Sequence, residues 1–264
     1  MKLTRIRYNE SLRLSERCLR FNIPALLDAG ARSVGRTARD VKSFRKLAEG
    51  GFNRVFELTL HDGKQIIARL PYPVTQPKRL AMASEVATMD LARDKGIPAP
   101  MVFDYSIDAN NPVGTEYIFM EKLSGKPMGD VWFALSEKER VKVISAIVDC
   151  EARLAAVDLP ASGSIFYDDD LPLAMNREPI SHRGRESKAF CVGPDVSLNL
   201  WYQERETLDI ERGPCELPSQ CSDLTCSLSL RQHASRRSSQ RGDQRDGLDA
   251  RIRQTSNAFG TRLL

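Results

Sequence analysis

The segment from residue 48 to 70, AEGGFNRVFELTLHDGKQIIARL, limits the folds open to this chain more than any other part of the sequence. Apolar and polar residues alternate from Arg54 to Leu60, which is typical of a strand with one buried face. The next four residues, His61 to Lys64, form a turn signal in which Gly63 can take a positive φ. Gln65 to Leu70 then predicts the return strand, so the segment predicts a β-hairpin that follows two adjacent glycines.

Two charged residues of opposite sign lie in apolar patterns, and we expect them to form an ion pair. Arg69 is the single cation in the strand QIIARL. The stretch from Arg79 to Lys95 has helical periodicity, and Glu85 falls on its apolar stripe, which is formed by Met82, Val86 and Met89. An unpaired buried charge costs on the order of 3 to 5 kcal/mol, so Glu85 requires a cation. We expect Arg69 to supply it.

The rest of the chain divides into compositional zones. Residues 101–107 and 116–123 predict two more strands joined by a turn-rich segment, which completes a β-rich unit over residues 44–123 with a single helix. Residues 124–127 break the periodicity. Ser136 and Glu139 then form a capping box that opens a helix running to about Val157, with an apolar face of Val141, Ile144, Ile147, Val148 and Leu154.

Composition excludes several classes of protein. With 264 residues, 41% of them hydrophobic, the chain can bury a sizeable core as one domain or two lobes. A net charge of +4 is too small and dispersed to indicate a nucleic-acid-binding protein. No apolar run reaches the roughly 18 residues of a membrane span. The six cysteines form no Cys-x-x-Cys pair, so we expect free thiols in an intracellular protein.

The two ends of the chain differ from the middle. Residues 1–43 predict a helical extension, and its basic first twenty residues fit either a charged surface helix or a mitochondrial presequence. Both a cytoplasmic and a mitochondrial location are therefore open. Residues 212–264 are rich in Ser, Arg, Gln and Cys and show no sustained period, which predicts a disordered tail. Its arginines have no interleaved aromatic residues, which argues against nucleic-acid binding.

Several motifs together resemble one family over about residues 7 to 210. They are the glycine turn EGGFNRVF, the strand IIARLP, the helix ASEVATM, the hairpin NPVGTEYIFMEKLSG and the upstream segment NESLRLSERCLRFNIPAL. The combination resembles the fungal aminoglycoside-phosphotransferase-like family, which includes the altered-inheritance-of-mitochondria proteins and is similar in fold to choline kinases and protein kinases. The resemblance implies an α+β, protein-kinase-like fold: a five-stranded antiparallel amino-terminal lobe at 44–123 and a helical carboxy-terminal lobe, here incomplete, at 124–211. ATP binds between the two lobes in that family.

The resemblance also implies roles for particular residues in an ATP site. A phosphate-covering loop would be formed by Gly50, Gly51, Phe52 and Asn53, although a plain tight turn remains an alternative for these residues. Arg69, in place of the usual strand lysine, would contact the phosphates and pair with Glu85. Val55 would pack on the base. The backbone of Met120, Glu121 and Lys122 would contact the base edge, unless these residues only end an edge strand.

Departures from the family pattern bear on catalysis. The sequence after Leu70 contains no His-x-Asp-x-x-x-x-Asn loop and no motif for Mg²⁺, so the resemblance assigns no catalytic or metal-binding residue. The carboxylates of Asp168, Asp169 and Asp170 fit an acidic surface turn better than a metal site. We therefore expect a family member truncated at its carboxy-terminal side that binds a nucleotide without turnover. An active small-molecule phosphotransferase with a non-standard base and a non-enzymatic scaffold are the alternatives.

The sequence does not indicate the phosphate acceptor. It does indicate a protein partner, because a helical lobe that lacks its later helices leaves apolar side chains around Ile144, Ile147 and Trp201 uncovered. We expect either poor solubility or a partner chain that covers them.

Overall fold

The computed structural model describes residues 10–183, 188–201 and 205–215. The helices are α1 (Glu10–Glu16), α2 (Ile23–Arg32), α3 (Lys78–Asp94), α4 (Met128–Val131), α5 (Glu137–Ala155) and α6 (Leu198–Trp201), with short 3₁₀ turns at Ala38–Asp40, Trp132–Ala134 and Asp168–Asp170. The strands are β1 (Val41–Glu49), β2 (Asn53–Leu60), β3 (Gln65–Pro71), β4 (Val102–Ser106), β5 (Tyr117–Glu121), β6 (Ser164–Tyr167), β7 (Glu178–Arg183) and β8 (Ala189–Gly193).

Strands β1 to β5 form an antiparallel sheet in the order β1-β2-β3-β5-β4, which we call the first sheet. The predicted hairpin is confirmed: Thr59 pairs with Gln65, and Gly63 takes a φ of 87° in the turn between them. The expected five-stranded antiparallel sheet and mixed α+β class are therefore present. The sheet begins at Val41, three residues before the predicted boundary.

The two faces of the first sheet carry different side chains. Its outer face packs on α2 through a buried cluster of Leu26, Ala29, Phe56, Leu58, Leu60, Ile66, Ala68, Leu70 and Phe119 with their neighbours. The predicted alternation in β2 is thus confirmed. Helix α2 lies close to the sheet because it has a glycine at the contact: a Cβ on Gly30 would lie 2.7 Å from a methyl carbon of Leu58.

Helix α3 is buried between the first sheet and a second, three-stranded antiparallel sheet of order β6-β8-β7. The helix confirms the predicted element to within one residue at each end. Its apolar residues join side chains of both sheets in one cluster that includes Met82, Val86, Leu91, Val102, Ile118, Met120, Tyr167, Phe190 and Val192. The Tyr167 hydroxyl also donates to Asp90 at 2.5 Å, which ties β6 to α3.

The predicted helical character of residues 124–211 is wrong beyond α5, because β6, β7 and β8 form the second sheet there. Its strands are only four to six residues long, which is too short for the alternation of a strand to be recognised in the sequence. Trp201 was also expected to be uncovered, but it is 8% exposed. Its indole N–H donates to the Asp195 carbonyl at 2.7 Å, and the Arg212 guanidinium lies 3.9 Å from the ring centroid.

Helix α5 confirms both its predicted capping box and its uncovered face. The Ser136 hydroxyl accepts from Glu139 N, and the Glu139 carboxylate accepts from Ser136 N at 2.8 Å. The apolar side chains of this face are about half exposed: Val141, Ile144, Ile147, Val148 and Leu154. No residue of α5 is buried in the structure described here.

Three further expectations concern the tail, the cysteines and membrane-spanning helices. The tail predicted at 212–264 lies outside the described residues from position 216 onward. Its first residues are packed, since Cys215 and Ser162 exchange two backbone hydrogen bonds of 2.8 Å. The four described cysteines, Cys18, Cys150, Cys191 and Cys215, are free thiols as expected. Within the described ranges, no helix has the length and apolar character required to cross a membrane.

Candidate functional site

The site is centred on the ion pair between Arg69 and Glu85, which the sequence predicted. Strand β3 presents Arg69 on the inner face of the first sheet, opposite Val55 and Ile118 in the cross-strand register. Its Nη1 contacts the Glu85 carboxylate directly, and both side chains keep some exposure, 30% and 25%. Burial lowers the pKa of the Arg69 guanidinium, yet arginine stays protonated in proteins. The pair therefore places a fixed positive group at the surface of the sheet.

Asn53 occupies the other edge of the Arg69 guanidinium. With its amide oxygen turned toward Arg69, Asn53 accepts from Nε at 3.2 Å and from Nη2 at 2.8 Å. A phosphate or carboxylate accepts from arginine in the same two-bonded arrangement. The Asn53 amide thus holds the position that an anion would take on this residue.

The adjacent glycines form a tight turn between β1 and β2, closed by a hydrogen bond of 2.9 Å from Gly50 N to Asn53 O. Neither glycine has a positive φ. A Cβ on Gly51 would meet nothing within 4 Å, and one on Gly50 would meet only Asn53 O, at 3.6 Å. The fold itself would accept a side chain at both positions. Packing within the protein therefore does not require glycine at either position.

A substitution at Gly51 can distinguish a phosphate-covering loop from a plain tight turn. We expect Gly51→Ala to leave the free energy of unfolding unchanged or to raise it by about 0.5 kcal/mol, because alanine fits and restricts the unfolded chain. Nucleotide affinity, measured by calorimetric titration, should fall about tenfold, or about 1.4 kcal/mol. Gly63→Ala is the matched control: its φ of 87° should make it lose about 1 kcal/mol of stability with no change in affinity. Equal nucleotide affinity of Gly51→Ala and the wild type would favour the plain turn.

The glycine turn is held from two sides by backbone contacts. The Phe52 carbonyl accepts from Tyr72 N at 2.8 Å and from Thr75 Oγ1 at 2.6 Å. On the other side, Arg17 Nη2 donates to the Gly50 carbonyl at 3.0 Å. The turn is therefore fixed relative to Arg69 before any ligand binds.

A cleft of about 200 Å³ opens beside the Arg69–Glu85 pair. Four of the residues that line it were predicted from the sequence as site residues: Phe52, Asn53, Arg69 and Glu85. The others were not predicted as site residues: Thr75, Gln76, Ala81, Met82, Val196 and Leu198. Val196 and Leu198 come from the segment after β8, so the chain that leaves the second sheet supplies one wall of this cleft.

Val55 and Met120, which were predicted to contact the base, lie on the inner face of the first sheet with Arg69 but outside the lining of the cleft. Glu121, by contrast, pairs with Ile66 and lies on the outer face. Val55 is half-buried, and Met120 is buried in the core between the sheets. The Glu121 N–H donates to the Met101 carbonyl at 2.8 Å, so that group is already satisfied. Lys122 reaches across the sheet toward β2, and its Nζ lies 2.5 Å from the Glu57 carboxylate.

Glu57 is a buried carboxylate that the sequence analysis placed only as a polar position of β2. It is 2% exposed and accepts from Arg45 Nε at 2.8 Å and from Lys122 Nζ. The hydrogen bond from Arg45, followed by that from Lys122, holds the pKa of Glu57 below its ordinary value of 4.5, and burial opposes the shift. Arg45, Glu57 and Lys122 form a charged cluster at the end of the inner face away from the glycine turn.

The described residues contain no group of three or more His, Cys, Asp or Glu side chains placed to hold a metal ion. Two of the three consecutive aspartates have partners within the protein. Asp168 pairs with Arg177 at 2.9 Å, and Asp170 accepts from the Tyr105 hydroxyl at 2.7 Å.

The chain is similar to fungal proteins of greater length. It is 39% identical over 173 residues to a subtelomeric hrmA-associated cluster protein of Aspergillus fumigatus, a match that covers 65% of this chain and 33% of that protein. It is 28% identical to the mitochondrial altered inheritance of mitochondria protein 9 of Candida albicans over 169 residues, which cover 59% of this chain and 27% of the relative. The same named protein of Saccharomyces cerevisiae is 28% identical over 188 residues, 65% of this chain and 30% of the relative. No family model matches the sequence. The chain thus spans a third or less of each relative.

Proposed function

We propose that this chain is a nucleotide-binding half-site of the aminoglycoside-phosphotransferase and protein-kinase-like type, with ATP or ADP as its ligand. The observation that carries the proposal is the Arg69–Glu85 ion pair beside a glycine turn whose glycines the fold does not require. A cation on the inner face of a sheet, next to the backbone of an exposed glycine turn, suits the phosphates of a nucleotide.

Different residues along the inner face would contact the phosphates and the base of the nucleotide. Phosphate oxygens would take the place of the Asn53 amide on Arg69 and accept a hydrogen bond from the Gly51 N–H, because the Gly50 N–H already donates to the Asn53 carbonyl. The base would rest on the apolar strip farther along the sheet, on Val55 and Ile67. The cluster of Arg45, Glu57 and Lys122 would bound that strip, because Glu57 and Lys122 follow Val55 and Met120 on the same face.

We propose nucleotide binding without phosphoryl transfer by this chain. Transfer depends on a positioned base and on neutralisation of charge at the β and γ oxygens. The catalytic-loop motif is absent from the sequence after Leu70, and no described residue next to Arg69 offers an unpaired carboxylate or histidine. Measurable release of ADP with Mg²⁺ and a hydroxyl acceptor, abolished by Arg69→Ala, would favour an active phosphotransferase instead.

The test is a calorimetric titration with ADP and ATP, with and without Mg²⁺. We expect saturable binding that does not require the metal, because the contacts come from Arg69 and the glycine turn. Arg69→Ala should weaken binding at least about tenfold, since a hydrogen-bonded charge contributes on the order of 1.5 to 3 kcal/mol. Arg36→Ala is the matched control, because Arg36 is 53% exposed and pairs with Asp62 outside the cleft. A folded wild-type protein that binds neither nucleotide contradicts the proposal.

A second candidate function is a non-enzymatic interaction module. It is favoured by the half-exposed apolar face of α5 in the described structure, which fits contact with a protein partner. The same titration separates the candidates: absence of nucleotide binding, together with a partner that co-purifies through α5, would support the module.

The names of the yeast relatives support a mitochondrial location over a cytoplasmic one for this chain. Fractionation of fungal cells that express a tagged copy would test this, and recovery in the cytosol alone would oppose it.

A further inference from the structure

We propose that the cleft beside Arg69 binds a phosphate monoester of a small apolar alcohol, with the phosphate on Arg69 and the apolar group against Val196 and Leu198. The inference rests on the proposed function, since it uses the same phosphate contact. It identifies the chemical class of a ligand, other than a nucleotide, that the same site would bind. The ester would compete with a nucleotide for Arg69 but would extend into the cleft rather than along the sheet.

The lining of the cleft is divided between polar and apolar side chains. One group is polar: Asn53, Arg69, Thr75 and Gln76. Since the Thr75 hydroxyl already donates to the Phe52 carbonyl, the donors for an anionic head are the Arg69 guanidinium and the two side-chain amides. The other group can only contact an apolar body: Phe52, Ala81, Met82, Val196 and Leu198. A small ligand that satisfies both groups has a charged end and an apolar end.

Two of the apolar side chains that line the cleft are partly exposed to solvent. Phe52 is 44% exposed and Leu198 is 37% exposed, and they come from distant segments of the described chain. The fold brings both to the same cleft. An exposed apolar group gains from burial by a ligand, and two such groups from separate segments provide a surface for one.

The wall that contains Val196 and Leu198 is held by hydrogen bonds to β6 and within its own segment. Val196 N donates to Ser164 Oγ at 3.0 Å, and Ser197 N donates to Asp195 Oδ1 at 2.7 Å. The Trp201 indole fixes the Asp195 carbonyl. The wall is therefore preorganised, which lowers the entropy cost of binding against it.

Charge excludes a cationic ligand body. Among the described residues that line the cleft, the charged ones are Arg69 and Glu85, and they pair with each other. No lining carboxylate is left for an ammonium group. The single guanidinium has one edge to offer, where Asn53 now lies, and this edge matches one phosphate.

The experiment is a titration of the chain with inorganic phosphate and with methyl, ethyl, propyl and butyl phosphate. Affinity should rise with chain length by about fourfold for each methylene buried, until the cleft is full. Leu198→Asn should flatten this rise. Phe52→Ser, in the other segment, should also flatten the rise in affinity. The second variant keeps the test valid if one of the two variants fails to fold. Leu173→Asn is the matched control, because Leu173 is 97% exposed and lies outside the lining, so its series should follow the wild type.

The outcomes separate the two proposals. A rising series that Leu198→Asn flattens, with competition by ADP, supports the inference. If ADP and inorganic phosphate bind but the alkyl series is flat, this inference is overturned and the nucleotide site stands. If neither ADP nor any phosphate binds to the folded protein, both proposals are overturned. A wild-type series that Leu198→Asn and Phe52→Ser leave unchanged also overturns the inference.

Discussion

Gly163→Ala is expected to lower the free energy of unfolding by about 3 kcal/mol or more, at the upper end of the cost of overpacking. A Cβ at this position would press against the Gly193 carbonyl oxygen and lie 2.9 Å from Val192 Cγ1. The carbonyl is backbone and cannot move aside as a side chain can. Gly163 is also fixed by its neighbours, since Ser162 pairs with Cys215 and Ser164 pairs with Gly193. The second sheet should therefore separate at its β6–β8 edge.

Urea denaturation measures this loss, and hydrogen exchange locates it. Exchange should accelerate in β6 and β8 and change least in β1 and β2, which lie in the other sheet. Gly129→Ala is the control, because nothing lies within 4 Å of a Cβ on that glycine and α4 is exposed. A Gly163→Ala variant with the wild-type urea midpoint would mean that the two strands are not so closely paired.

Glu57→Gln is expected to lower stability at neutral pH by about 2 kcal/mol, the scale of hydrogen bonds to a charged group. Glutamine keeps the shape but leaves Arg45 and Lys122 without an anion. Their side chains are 58% and 29% exposed, so water offsets part of the loss. Asp28→Asn removes a surface pair with Arg32 and should cost only about 0.3 to 0.5 kcal/mol.

The pH dependence gives a second signature of Glu57. Its pKa is lower in the folded protein than its ordinary value of 4.5. The ionised carboxylate therefore contributes stability above pH 4.5, and that contribution is lost as the pH falls from 4.5 through the folded-state pKa. Thermal unfolding between pH 7 and pH 3 should show a shallower decline for Glu57→Gln than for the wild type. Parallel curves for the two proteins would indicate that the charge is unpaired in solution.

Local signals explain which parts of the fold and site were predictable. The hairpin of β2 and β3 follows from alternation and from Gly63, all within twenty residues. The Arg69–Glu85 pair followed because each charge interrupts an apolar pattern and needs the other. These inferences use only propensity and the cost of a buried charge.

Non-local contacts explain what the sequence did not reveal. The strands of the second sheet are short, and AFCVG is a continuous apolar run that no period separates from a helix. Glu57 occupies a polar position in an alternating strand, which predicts exposure, but Lys122 reaches across the sheet and covers it. Val196 and Leu198 line the cleft only because α3 brings the second sheet beside the first.

The burial of α3 on both sides makes the two sheets one cooperative unit. The helix contributes Glu85 to the site and Met82 and Val86 to a core shared with Tyr167 and Val192. A shift of α3 that separates Glu85 from Arg69 must also open that core. If a ligand binds at Arg69 as proposed, its occupancy and the folding of β6, β7 and β8 are thermodynamically linked, so that a sequence change in the second sheet would alter ligand affinity without contacting the ligand.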